Sequence, residues 1–367
     1  MLWSRKLIAA WLKIKVIHRY YRIQKIYHYV NIKIILMNKY LALGIESTAH
    51  TFSVSVVSSS GKVLSDEKDV YKAPKGSGIH PREASRHHSR VASKVLNQAL
   101  ETAKIKPNQI DLVSYSAGPG LGPCLRVGAT VARTISLMLN APLIPVNHAI
   151  GHIELGCILT GAKDPVTLLV SGGHTMILAY NEKRWRVLGE TIDLTIGQLL
   201  DQLGRFAGYS SPAGRIIEEL AAESNKYIDL PFTVKGNDVS FSGLLTAAKK
   251  MIKEGNSLND VCFSVQETAF SMLTEVTERA LALTDKKEVL ITGGVAANTR
   301  LKNMLNDMCE ERDSKVYVIP REYSGDCGAQ IAWTGALTHK KNADIDVKDS
   351  WTKQSWRLDS VDVLWRE

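Results

Sequence analysis

The chain has no cysteine pairing, no long apolar run and no metalloprotease motif, and each absence removes a class of protein. Its five cysteines (Cys124, Cys157, Cys262, Cys309 and Cys327) are odd in number and widely spaced, with no C-x-x-C. That argues against a disulfide framework or a thiolate zinc site, and for buried reduced thiols in a cytoplasmic protein. No stretch approaches the roughly 18 consecutive apolar residues of a membrane span, so no membrane partner is expected. H-E-x-x-H is missing, and no Ser-His-Asp or Cys-His nucleophile pattern stands out. The formal charge of +9 is confined to one end. Residues 1–36 hold eight basic groups and no acid, which leaves 38 basic residues against 37 acidic ones in the rest. Global charge therefore says nothing about nucleic acid, and any RNA-binding surface has to be a local patch.

Residues 1–36 match no fold pattern, since basic residues interrupt every apolar run. A basic, acid-free leader is a possible organelle-targeting segment. The preferred reading places the true start at Met37, which opens MNKYLALGIE just before the first strand.

What is present is a repeat. Residues 41–64 read strand, polar turn, strand, turn, strand, and residues 168–188 repeat that layout around Ser171-Gly172-Gly173-His174-Thr175. A third segment, 288–298, reads strand, Gly-Gly turn, helix. An apolar strand emptying into a Gly/Ser/Thr turn leaves backbone N–H groups where a phosphate can sit. Three such turns argue for a duplicated nucleotide-binding core with a cleft between its halves. The chain length suits two domains. Helices are expected near 82–104 and 126–139, with His148-Ala149-Ile150-Gly151-His152 opening another. The βββαβαβα order matches a ribonuclease-H-like half, and a second half restarts at 165. The fold class is thus α/β, an actin-like/Hsp70-like ATPase fold of two ribonuclease-H-like halves. Its expected parts are the leader 1–36, halves 37–164 and 165–345, and a tail 346–367 packing back on the fold.

His148 and His152 lie four apart, so a helix puts both imidazoles on one face at ligand spacing, although such pairs are often only polar surface. His80, His87 and His88 are read as surface or as facing a nucleic-acid partner. Lys249 and Lys250 are either a grip on a nucleic-acid partner or a solvated pair. Glu46, Ser47 and Thr48 occupy the first phosphate turn.

Several blocks in order carry a resemblance: LGIESTAH, GIHPREASRHH, GPGLGPCLRVGATVAR, VNHAIGHIE, VSGGHT, VKGNDVSFSGLLTAAKK, ITGGVAAN, GDCGAQIAW and WRLDSVDVLW. Over 39–367 the chain resembles the tRNA N6-adenosine threonylcarbamoyltransferase family. It is most similar to the archaeal branch, the catalytic subunit of the KEOPS complex. The resemblance implies transfer of threonylcarbamoyl from threonylcarbamoyl-adenylate to N6 of adenosine at tRNA position 37, in tRNAs reading codons that begin with A. It also implies one divalent metal, iron or zinc, held by His148, His152 and Asp326, beside an ATP or adenylate nucleotide.

The same resemblance carries over a nucleotide-binding set: Leu169, Val170, Ser171, Gly172 and Gly173 on the phosphate side, the carboxylates of Asp201 and Glu218 for the ribose, Gly214 for close backbone approach, and Asn298. Implied partners are tRNA and the complex's small protein kinase/ATPase, dimerising subunit and tRNA-recruiting subunit. The chain departs from the archaeal pattern in places. Leu169 stands where a tyrosine ligand is usual, His174 where asparagine is frequent, Ala213 replaces a glycine, and Cys327 replaces an asparagine. Leucine cannot coordinate a metal, so a weaker, water-completed or differently built site is expected. A metallopeptidase is disfavoured because Ala149 follows His148 where a glutamate base is needed. A small-molecule kinase would not need the two histidines. A non-enzymatic ATP-binding scaffold of the same complex is the remaining alternative.

Overall fold

The computed structural model describes residues 40–366, Lys75 and Asn342 excepted. The expectations for residues 1–36 and for Met37 lie outside the described residues. The first repeat folds as β1 (Leu41–Glu46), β2 (Thr51–Ser58) and β3 (Val63–Val70), joined by tight turns. With β4 (Leu112–Gly118) and β5 (Leu143–Asn147) they form a sheet in the order β3-β2-β1-β4-β5. The second repeat gives β6 (Val166–Val170), β7 (Thr175–Asn181) and β8 (Arg184–Glu190). With β11 (Glu288–Thr292) and β12 (Lys315–Val318) its order is β12-β11-β6-β7-β8. Read from its own first hairpin outward, the second sheet repeats the first. In both, the three leading strands are antiparallel and the two later ones join in parallel. A minor ribbon, β9 (Val234–Lys235) with β10 (Asp238–Val239), sits beside them.

Helices α1 (Pro81–Ala103) and α2 (Gly122–Leu139) pack on the first sheet. Helix α2 starts earlier than residue 126 because Pro123, which lacks an N–H to satisfy, fits the first helical turn. Helix α1 turns Ala84, His88, Ala92, Val95 and Ala99 inward. This corrects the reading of His88 as surface. Four-residue spacing puts it in line with the buried alanines, where its Nε2 lies 3.1 Å from the Ala49 carbonyl. Burial pushes its pKa down to about 4. His87 meets Asp69 at 2.9 Å, and His80 is exposed.

Two helices lie between the sheets. Helix α3 (His148–Thr160) is buried on all sides from His148 to Cys157, so it has no solvent face. It is capped by the Asn147 side chain, which accepts from the N–H groups of Ala149 and Ile150, and it ends at Gly161 in the left-handed conformation. A second helix over Gly328–His339 (α10 in chain order) lies against β1 and against α3. That approach depends on glycine: a Cβ on Gly44 would stand 2.2 Å from the Gly328 carbonyl oxygen.

The five cysteines are free and buried. The tail crosses back over both sheets. Lys353 N–H donates to the Ala117 carbonyl (2.7 Å) and Val363 N–H to that of Lys183 (2.7 Å). No helix among the described residues is long and apolar enough to cross a membrane.

Candidate metal centre

Strand β1 ends at Glu46, and α3 begins at His148 with its side chains enclosed between the sheets. The two segments meet: Glu46 Oε2 lies 2.9 Å from His148 Nδ1. The other carboxylate oxygen, Oε1, accepts from both the N–H and the hydroxyl of Thr48, each at 2.6 Å. The Gln330 amide, from α10, lies 3.0 Å from the same His148 nitrogen. With Nδ1–H directed at Glu46, the Nε2 lone pair is left for a metal. Asp326 lies just before α10, and its Oδ1 is 3.5 Å from His148 Nε2 and 3.3 Å from His152 Nε2. The ligand atoms of His148, His152 and Asp326 all fall within 4.8 Å of one another. Two imidazoles and one carboxylate around a single point fit one divalent cation with open positions.

Electrostatics explain why these groups share a buried place. Burial lowers the His148 pKa, but Glu46 and Asp326 outweigh it and raise it to about 9. Burial dominates at His152, whose pKa falls, and its Nδ1 has no partner among the described residues. Burial pushes Asp326 upward, yet the two histidines hold its carboxyl well below the usual range. A cation bound here would take the place of the proton on His148, so uptake releases a proton.

Glu46 was read from sequence as part of a phosphate turn; its side chain instead orients His148. Replacing it with glutamine is expected to weaken metal affinity roughly 10–100-fold at unchanged ligand count. Competition with a chelator of known affinity measures this, and a wild-type constant would remove Glu46 from the site.

The phosphate turns follow from strand pairing. Parallel strands β6 and β11 place Leu169 beside Thr292, so the turns at Ser171-Gly172-Gly173 and Gly293-Gly294 emerge side by side at their C-terminal ends. Gly293 has φ of +95°, and a Cβ there would stand 2.3 Å from the Val170 carbonyl oxygen. Ser171 Oγ accepts from the N–H groups of Gly173 (3.2 Å) and His174 (3.0 Å), shaping the turn from within. Gly172 and Gly173 are exposed with open space above them. Leu169 and Val170 have fully buried side chains on opposite faces of the sheet, so only their main chain can reach a nucleotide. Leu169 packs in the cluster of Ala149, Ile150 and Ile153 from α3, and its position supplies no metal ligand.

The other carried-over residues gather through two bonds. Asp201, on α4 (Ile196–Phe206), accepts from the Ala213 N–H at 2.7 Å, and burial raises its pKa. Gly214 opens α5 (Gly214–Ala222), which carries Glu218. The Glu218 carboxylate accepts from the Thr299 N–H at 2.7 Å. Asn298 caps the helix over Thr299–Glu311 by accepting from Arg300 and Leu301, while its amide donates to Gln266 at 2.9 Å.

Sequence reasoning gave no role to His174, whose ring stacks near-parallel on His148 with centroids 6.1 Å apart. Burial pushes its pKa down to about 3. Cys327 is buried beside Gln330 and lies outside the ligand cluster, and burial raises its thiol pKa far above the ordinary value.

Residues 62–333, which include all three ligands, match the family model described as tRNA N6-adenosine threonylcarbamoyltransferase. The chain belongs to the tRNA N6-adenosine threonylcarbamoyltransferase family. One member, the tRNA N6-adenosine threonylcarbamoyltransferase of Caldivirga maquilingensis, is 50% identical over 325 residues, 89% of this chain and 98% of that one. A probable bifunctional tRNA threonylcarbamoyladenosine biosynthesis protein of Methanothermobacter thermautotrophicus is also 50% identical, and the chain spans 61% of its length. Among solved structures, HypF of T. kodakarensis aligns with a TM-score of 0.58 at 15% identity, over 83% of this chain and 48% of that one. Component A of the Acidaminococcus fermentans (R)-2-hydroxyglutaryl-CoA dehydratase gives 0.53 at 13% identity, over 83% and 98%. At such identities they show the fold alone, the actin-like arrangement that this transferase family shares.

Proposed function

We propose that this chain transfers a threonylcarbamoyl group from threonylcarbamoyl-adenylate to N6 of adenosine at tRNA position 37, in tRNAs reading codons that begin with A. The observation carrying the reading is the metal-ready triad His148, His152 and Asp326 in a chain half-identical to transferases of that name. A bound iron or zinc ion would supply Lewis-acid polarisation of an acyl oxygen at this point. The protein's own part is positional. Glu46 sets the tautomer of His148, and the open space over Gly172 and Gly294 is where the adenylate phosphate would sit. The adenosine amine then attacks the carbamoyl carbon, the carbon–oxygen bond to phosphate breaks, AMP departs with the electron pair, and N6 gives up a proton. Asp201 and Glu218 would accept from the ribose hydroxyls, with Gly214 beneath the sugar.

The chain works in the cytoplasm within a KEOPS-type assembly of a small protein kinase/ATPase, a dimerising subunit and a tRNA-recruiting subunit. The existence of bifunctional relatives in the same biosynthesis supports partnership with a second activity. A non-enzymatic scaffold is not favoured, because His148, His152 and Asp326 still converge on one point.

The test reconstitutes protein starting at Met37 with its partner subunits, threonylcarbamoyl-adenylate and unmodified tRNA, and reads digested nucleosides by mass spectrometry. Threonylcarbamoyladenosine is expected. Its absence beside an active control complex would overturn the reading.

A further inference from the structure

Helix α4 runs from the phosphate turn to an aromatic residue on the surface. At its start, Gly197 N–H donates to the Ser171 carbonyl at 3.3 Å, and a Cβ on Gly197 would stand 2.6 Å from that oxygen. At its end, Phe206 is 38% exposed. Nine residues of helix separate the two, about 14 Å at 1.5 Å per residue. Two ammonium groups from a different helix, α6 (Ser242–Lys253), lie over this ring: Lys249 Nζ at 5.8 Å and Lys253 Nζ at 5.9 Å from its centroid. The neighbouring Lys250 is matched by Glu254 at 3.7 Å. Among the described residues, Lys249 and Lys253 have no carboxylate within ion-pair distance, so their charge is available.

We propose that Phe206, Lys249 and Lys253 form an RNA platform on which an unpaired base of the tRNA stacks while its flanking phosphates meet the two ammonium groups. The inference rests on the transferase reading, which makes tRNA the substrate. An aromatic face beside unmatched cations is the combination that holds single-stranded nucleic acid: every base has a face to stack, and every nucleotide brings a phosphate. The ring's negative face gathers both ammonium groups before RNA arrives, and they move from it to the phosphates as the base takes their place. The separation of about one helix length from the Ser171 turn suits a nucleotide near the reacting adenosine in the same loop. Because residues 37–367 are nearly balanced in charge, phosphate recognition calls for a local cluster of this kind.

The experiment measures binding of an unmodified tRNA transcript to the full chain in its complex, over a series of salt concentrations. Phe206→Leu keeps an apolar side chain but removes the stacking face. It is expected to weaken binding about 5- to 100-fold with an unchanged salt slope. The double variant Lys249→Gln/Lys253→Gln is expected to flatten the slope of log affinity against log salt by about 1.4, or 0.7 for each lost phosphate contact. AMP binding and thermal midpoint confirm that each variant is folded; if Phe206→Leu is not, the lysine pair carries the test alone. Wild-type affinity and slope in the folded variants, while the wild type binds and modifies tRNA, would overturn the platform. A wild type that neither binds nor modifies tRNA would overturn the transferase reading, and the platform with it.

Discussion

Asp326→Ala is expected to lose its metal and roughly a thousandfold or more of its transfer rate. Asp326 is the sole anionic member of the ligand cluster, and its Oδ1 stands within 3.5 Å of both histidine Nε2 atoms. Without it a cation here would face two imidazoles alone, and His148 would keep only Glu46 to offset its burial. Lewis-acid polarisation contributes several kcal/mol to charge stabilisation, and each 1.36 kcal/mol is tenfold in rate. Metal content per chain by emission spectroscopy, alongside single-turnover nucleoside analysis, reads both effects. Circular dichroism confirms the fold. Retained metal with a rate within tenfold of wild type would remove Asp326 from the centre.

The second large effect concerns stability. Arg366→Ala is expected to destabilise the protein by about 3–5 kcal/mol, the cost of leaving a buried charge without its partner. The guanidinium of Arg366, in the tail, meets both oxygens of Glu154, at 2.9 and 3.1 Å. It also lies 4.8 Å from the Trp185 ring centroid and 5.7 Å from that of Tyr180. Glu154 is 3% exposed and additionally accepts from the Trp185 indole N–H at 3.2 Å. Glu154 lies on α3, two residues beyond His152, so the tail anchors the helix that carries both histidines of the candidate metal centre. Removing both charges with Arg366→Ala/Glu154→Gln is expected to recover much of the loss, since no uncompensated ion remains. Equilibrium denaturation of the two single variants and the double variant measures the coupling. Additive losses would show that the pair contributes nothing as a pair.

Much of the fold was legible in the sequence because its determinants are local. The hairpins at 41–64 and 168–188, the Gly-Gly turns, and the four-residue spacing of His148 and His152 depend on neighbours along the chain. The structure places all of them close to where the pattern put them. The resemblance supplied Asp326, which spacing alone could not, because it lies 174 residues from His152. His88 was misplaced because its polarity outweighed its position in the buried row of α1. Glu46 was assigned to a phosphate because nothing nearby in sequence shows His148, 102 residues away. Asn298 also caps a helix and donates to Gln266, two contacts that the sequence did not show.

The sequence by itself determined the elements, the duplicated βββαβ order and the residue types able to bind a metal, since periodicity and turn chemistry act over a few residues. Only the tertiary structure decided which atoms meet. Packing α3 and the helix over Gly328–His339 between two sheets brought Glu46, His148, His152, Gln330 and Asp326 to one point. It also turned Leu169 into that packing and carried Arg366 back to Glu154. The physical reason is that burial removes water as a partner. Each enclosed charge must then find its counterpart elsewhere in the chain, at a sequence distance that no local pattern records.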